Sequence, residues 1–393
     1  MGPSHPSRRL RRLPRRGAGA LAFATAVAAA GTASAGGGAA TDAYDDVRES
    51  VPVDVGGLLD GHVQHDFDRP RSGAVGLRAF DVKSDVPSLN FARLTVARRP
   101  GDFGFRLDVG VGDTPDGYLR ADPAASTHPG LSRALSYVEQ AFVTARLPGD
   151  AAVAIDVGRF GTPVGLEDNE SPRNYNASRS LLYTWAEPTS HVGARLTASV
   201  TPALAVSAFW LNGWNTQVVE GNGMRSFAVA ASWQLATKLD VSATYLAGRD
   251  RAPQRLADPT EAWRHVIDAF ATFSPSDDVS LALTADYGHD AAAGGVWWWG
   301  IAGYIQCRPR PWLAGTLRGE HYADPDGFTT GTAQRVAAVT GTVEIRRELP
   351  DVTLVVRLEY RRDKSTAPVF EASTASGSAR SQDTLALQLV AEF

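Results

Sequence analysis

The chain has one cysteine and two methionines in 393 residues, and beyond position 35 no stretch approaches 18 consecutive apolar residues. The lone Cys307 excludes an internal disulfide, so stability rests on backbone pairing and packing. The missing apolar run excludes a transmembrane helix in the mature chain. Long helical periodicity is lacking too. Val, Thr, Ala and Gly recur in short bursts beside nine Trp and ten Tyr, a composition that favours β structure. A formal net charge of −4 speaks against nucleic acid as a partner.

Positive charge is concentrated at the start, in Arg8, Arg9, Arg11, Arg12, Arg15 and Arg16, ahead of the small apolar run "GALAFATAVAAAG". With the Ala33-Ser34-Ala35 box these features read as a secretory signal over 1–35. The apolar run is too short and alanine-rich for a membrane anchor, and the arginines lack the hydrophobic follow-up of a twin-arginine signal. Residues 36–52 read as a flexible segment, and 53–393 as one barrel with no separate domains.

Period-two alternation dominates that region. In "DVTLVVRLEYRR" Val352, Leu354, Val356, Leu358 and Tyr360 share one face, against Thr353, Arg357, Glu359 and Arg361. In "FGFRLDVGVGD" Phe103, Phe105, Leu107, Val109 and Val111 oppose Arg106 and Asp108; "VSLALTADYG" and "TLALQLVAEF" repeat the pattern. Charge thus sits in mid-strand on one face. A membrane barrel turns such a face to a wet lumen, whereas a secreted sandwich exposes it to solvent.

Strand length and loop asymmetry separate the two. About sixteen strands of roughly 10 to 14 residues suit the tilted crossing of a bilayer rather than a soluble sheet. Tight turns such as "RPGD", "PGD", "TPA", "SPSDD" and "ELPD" alternate strictly with longer segments near 68–86, 114–134, 162–188, 214–223, 250–261, 289–293, 323–331 and 363–381. The pattern implies an all-β, antiparallel up-and-down transmembrane barrel of about 16 strands, with short periplasmic turns, long extracellular loops and a location in an outer membrane. Trp210, Trp214, Tyr287, Trp297 to Trp299, Trp312, Tyr322 and Tyr360 read as its interfacial girdles. Phe393, ending an alternating strand, resembles an assembly signal for the barrel assembly machinery. Inward Leu246 and Phe270 suggest that part of the lumen is filled.

With these residues in view, the chain resembles the outer-membrane β-barrel porin family described as OmpL-like. The resemblance is carried by Ser136 to Thr197, by "LNGWN" (Leu211 to Asn215), by Glu261 to Asp290, by "RGEHYADPDG" (Arg318 to Gly327) and by "LEYRRDKS" (Leu358 to Ser365). "VWWWGIAGYIQC" departs by an extra tryptophan. The match implies a porin-like barrel passing small hydrophilic solutes or ions, with outer-membrane lipid around it, and it supplies no catalytic set. Homotrimeric association stays open.

The richest segment is "GRFGTPVGLEDNESPRNYNASRSLLYTW", Gly158 to Trp185. An enzymatic reading uses Ser178 or Ser180 with His191 or His265, but no Gly-x-Ser-x-Gly elbow is present. Glu167, Asp168, Asn169 and Glu170 offer oxygen donors without the spacing of a calcium loop. No metal, no cofactor and no enzyme are expected. By position this is the third long loop, the one that narrows the pore in general porins. Glu167, Asp168 and Glu170 then supply an acidic side of a constriction, and Arg173, Arg179, Arg106, Arg357 and Arg361 a basic side. The other reading is that these charges pair with one another and pin the loop. A non-conducting barrel with a structural or surface-binding role is the alternative function.

Overall fold

The computed structural model describes residues 53–98, 101–148, 152–217, 225–251, 261–291, 294–373 and 377–393. The expected signal and flexible segments over 1–52 lie outside the described residues, as do parts of two expected turns and of four loops.

The strands, in order, are β1 (Asp54–Asp66), β2 (Ser88–Arg98), β3 (Phe103–Val111), β4 (Val138–Leu147), β5 (Ala152–Gly161) and β6 (Ser190–Thr201). They continue through β7 (Leu204–Leu211), β8 (Ser226–Ala236), β9 (Leu239–Arg251), β10 (Glu261–Ser276) and β11 (Val279–Asp290). Then come β12 (Val296–Arg310), β13 (Leu313–Asp324), β14 (Gln334–Glu348), β15 (Thr353–Ser365) and β18 (Ser381–Glu392). The two-residue strands β16 (Phe370–Glu371) and β17 (Ser378–Ala379) form a separate small sheet in the last loop. The other sixteen close into one antiparallel barrel in which β1 pairs with both β2 and β18. Closure follows from the lipid environment, where an unpaired strand edge would leave N–H and C=O groups without partners at several kcal/mol each.

Alternation sorts the side chains as the sequence implies. In β15 Leu354, Leu358 and Tyr360 are exposed, while Arg357, Glu359, Arg361 and Asp363 are buried. Leu283, Val339 and Leu389 lie outward on their strands, and Thr284, Thr340 and Gln388 lie inward. An apolar band therefore faces out around a polar interior, the inverse of a soluble core.

Two details differ from the sequence reading. Trp298 and Tyr322 are fully buried, and Trp214 packs on the same inner cluster, so these three are not girdle residues. Parity decides it: Trp298 stands between outward Trp297 and Trp299, and Tyr322 shares its face with Arg318 and Glu320. The second long loop also carries helices, α1 (Asp113–Ala121) and α2 (Pro129–Ser136), joined by a 3-10 turn at Pro123–Ser126. Asp113 and Asp116 in the first turn of α1 suit its dipole, and buried Tyr118 fixes it to Phe80 of the first loop, ring to ring at 5.9 Å. As expected, Leu246 points inward, into an apolar cluster with Phe160, Phe209, Val266 and Trp298.

Candidate pore constriction

Between β5 and β6, residues 162–189 turn into the barrel instead of standing above it. The segment begins against β9, where Thr244 Oγ1 donates to the Pro163 carbonyl (2.9 Å). It reaches β11 through Tyr175 and Ser280, whose hydroxyls lie 3.1 Å apart, and β12 through the Tyr175 and Tyr304 rings at 5.5 Å. It touches β14 where Asn176 Nδ2 donates to Thr342 Oγ1 (2.7 Å) and β18 where Gln388 Nε2 donates to Ser171 Oγ (2.7 Å). A short helix, α3 (Leu181–Trp185), is capped by Ser180, whose Oγ accepts from the Tyr183 amide at 3.1 Å. Its residues Leu181 and Leu182 are wholly buried, and Leu182 seats where Gly300 of β12 leaves room.

A loop inside a barrel must satisfy backbone groups that sheet pairing does not. Charged wall residues do so here. Arg357 Nη1 donates to the Ser171 carbonyl (2.9 Å) and its Nη2 to that of Asn174 (3.0 Å). Arg318 donates to the Ser178 carbonyl (2.8 Å), and Arg361 to that of Arg179 (2.6 Å). Glu359 accepts from the amides of Ala177 (2.7 Å) and Ser178 (3.0 Å), and Glu320 from that of Leu181. Guanidinium forks and carboxylates are suited to this because each offers several directed bonds.

The eight charges singled out in the sequence fall into four settings. Glu170 meets Arg93 (2.7 Å), Arg173 (3.0 Å) and Arg106 (3.1 Å), with Asp168 against Arg173 at 3.4 Å. Burial opposes ionisation of Glu170, yet Arg173, Arg93 and Arg106 hold its carboxyl below the ordinary value. Glu167 accepts from Arg318 (3.1 Å), Tyr304 Oη (3.1 Å) and the Ser180 amide (2.6 Å), close to Arg361 through Glu320. Arg357 pairs with Glu344 at 2.8 Å. Arg179 serves the loop itself, donating to the carbonyls of Asp168, Asn169 and Ala177 and lying over the Phe80 and Tyr183 rings. Acids and bases are thus interleaved, and acidic and basic walls are not opposed.

Exposure divides them further. Glu167, Glu170, Arg179, Arg357 and Arg361 are buried, whereas the side chains of Asp168, Arg173 and Arg106 keep 39 %, 36 % and 25 % of their surface. Arg93, Arg318, Glu320, Glu344 and Glu359 escaped sequence reasoning as site residues. Their signal is the same parity that places Arg357 and Arg361 inside, since each lies in mid-strand on a lumen-facing position.

The residues of the enzymatic reading stay apart. Ser178 Oγ accepts from Arg318 (3.1 Å), Ser180 caps α3, and the His191 ring sits 3.2 Å from both Thr162 Oγ1 and the Gly213 carbonyl. His265 lies outside, its Nδ1 2.8 Å from Tyr245 Oη. Beside the loop a small cleft is lined by His62, Phe80, Asn90, Arg179, Glu359 and Gln388, among others.

No curated protein sequence matches the chain at a significant level. Solved structures do match its fold. OmpT of Vibrio cholerae, in a trimer form, has a TM-score of 0.57 at 12% identity, over 88% of this chain and 100% of that one. The outer membrane channel DcaP of Acinetobacter baumannii scores 0.55 at 12% identity, over 87% and 97%. The anion-selective porin from Comamonas acidovorans scores 0.55 at 11% identity, over 88% and 100%. At such identity these likenesses speak for the fold alone. Sequence comparison goes further, because residues 52–393 match the family described as "Putative beta-barrel porin-2, OmpL-like". The chain belongs to that family and is an outer-membrane β-barrel porin.

Proposed function

We propose that residues 162–189 form the constriction of a pore through which small hydrophilic solutes or ions pass by passive diffusion, with no chemical step. The observation that carries this reading is the course of the loop, which crosses the lumen and bonds to β9, β14 and β18. Two jobs divide the charges. Buried Glu167, Glu170, Arg179, Arg357 and Arg361 hold the loop in place, so pinning and constriction are one device. Partly exposed Asp168, Arg173 and Arg106 face what passes and set its selectivity by fixed charge and pore width.

A second reading, a closed barrel with a structural or surface-binding role, draws on the apolar cluster of Leu246, Trp298 and Tyr322 inside the lumen. Planar bilayers separate the two: purified protein is expected to give stepwise conductance, and its absence favours the closed barrel. In a conducting protein Asp168→Asn is expected to shift the reversal potential toward anions at unchanged thermal stability. An unmoved reversal potential removes Asp168 from the aperture. We further infer export through the 1–35 segment, a lipid contact along the apolar band, and a homotrimer, by analogy with the trimer form of OmpT. Cross-linking in outer membranes tests the last.

A further inference from the structure

We propose that Glu187, Asp268 and Asp286 form a proton-binding latch that clamps the end of the third loop to the barrel wall, and that loss of its protons frees this end. Asp268 on β10 and Asp286 on β11 stand directly opposite each other in the ladder, both on the lumen face. Glu187 comes down from the loop, and it and Asp268 each lie within hydrogen-bonding reach of Asp286. All three are more than nine-tenths buried. Among the described residues, neither oxygen of Asp268 or Asp286, nor Oε2 of Glu187, has a protein hydrogen-bond donor within normal limits, although the Gly165 amide lies near Asp268. The shortage extends beyond the acids. Thr284 Oγ1, two residues along β11 on the same face, is also buried and without a hydrogen bond.

Among the described residues the surroundings supply no countercharge. From the loop itself Glu167 adds another acid, committed to Arg318 of β13. On β10 Arg264 is four residues away and pairs with Asp290 of β11 at 2.9 Å. The strand neighbours are Thr244 of β9 and Gly300 of β12, with Trp298 above, its indole donating to the Ala186 carbonyl (3.5 Å). Three buried carboxylates with no cation beside them among the described residues do not all ionise, so they retain protons, and those O–H groups satisfy the neighbouring oxygens. Burial, then the charges of Asp286, Asp268 and Glu167, push the Glu187 carboxyl well above its ordinary range. A metal is the other way to neutralise such a group, but among the described residues no three acids, histidines or cysteines are disposed to hold one.

The latch also reaches the first limb of the loop. Gly165, with φ +93°, packs so close that a Cβ there would fall 1.9 Å from Glu187 Oε2. Both limbs, 165 and 187, therefore close on one wall next to α3. The sign follows from linkage. Docking requires protonated carboxyls, so it is strongest below the ordinary carboxyl pKa. It then weakens by about tenfold per pH unit for each proton taken up, and levels off above the docked pKa. The loop end loosens as pH rises.

Two readouts test this. Amide exchange of peptides within 181–189, compared at each pH with the same peptides of Glu187→Gln, needs no conductance and so does not depend on the porin reading. Single-channel recording does rest on that reading. Between about pH 5 and about pH 9 the wild type is expected to show rising exchange and more frequent opening, by about tenfold per pH unit for each linked proton. Glu187→Gln and Asp268→Asn, which keep shape with one titrating group fewer, are expected to open with a shallower pH dependence, and their exchange to follow more closely the rise with pH that every amide shows. Variants that follow the wild-type pH profile overturn the latch. So does a profile that moves with added Ca²⁺ or EDTA at fixed pH, which would mark a bound cation. If the wild type conducts at no pH, the porin reading fails and exchange alone decides the latch.

Discussion

Arg318 meets the loop with its whole fork of donors. Its side chain is fully buried and bonds Glu167 (3.1 Å), the Ser178 carbonyl (2.8 Å), Ser178 Oγ (3.1 Å), and Thr340 Oγ1 (3.2 Å), while Nε lies 3.0 Å from Glu320. Removing one partner of a buried pair leaves the other charge without compensation, at about 3–5 kcal/mol. Arg318→Met is therefore expected to lower the unfolding free energy of detergent-folded protein by that order in denaturant titrations and to raise unitary conductance as the loop undocks. Arg318→Lys is expected to recover part of the stability but not the loop position, because an ammonium supplies the charge without the planar fork. Equal conductance in all three proteins would show that the pair stabilises the barrel without placing the loop.

At the scale of the element, the seam between β1 and β18 depends on a glycine. The Gly57 amide donates to the Phe393 carbonyl (2.8 Å), and the Phe393 amide donates back to Gly57 (3.0 Å). The Phe393 ring lies across Gly57, where a Cβ would fall 2.2 Å from Cζ. An aromatic ring covering a strand glycine protects its backbone and pins register. Gly57→Val is expected to displace the ring and cost about 1–3 kcal/mol, the range for overpacking, seen as a lower temperature at which folded protein converts to the unfolded gel band. Adding Phe393→Ala to Gly57→Val should then cost little more, since the ring has already left. Much of this level was legible in the sequence. Alternation and turn residues gave each strand to within a few residues, because burial on one face fixes register and a one-residue slip inverts every side chain. What alternation missed was tertiary. The helix α1, for one, forms where Tyr118 finds Phe80, whereas the inward place of Trp298 and Tyr322 is carried by their parity and is lost only when they are grouped with their outward neighbours. The loop's place inside the barrel was suggested by its order and length. Its partners were not, since pairs such as Arg318 with Glu167 span 151 residues and no local pattern specifies them.

For the whole molecule, the ordering of polarity from inside to outside is the property that makes it a membrane protein. A secreted sandwich of the same strands would place Leu283 and Val200 in its core or leave both in water, and depth would have no meaning. In the barrel Leu283 is outward at mid-strand of β11, opposite Ala271 and Gly303, and 53% exposed to what becomes lipid. Val200 is equally outward, 60% exposed, but it lies one residue from the tight turn that ends β6. Hydrocarbon penalises an arginine by about 2–4 kcal/mol at the midplane and about 0–1 kcal/mol near the interface. Leu283→Arg is thus expected to lose that larger amount in denaturant titrations of protein folded into lipid vesicles, and Val200→Arg to remain near the wild type. In detergent micelles, which adapt around a charge, the gap is expected to shrink. Equal costs for the two in vesicles would mean that the apolar band does not face lipid, and the reading of the barrel as a membrane-spanning pore would fall with it.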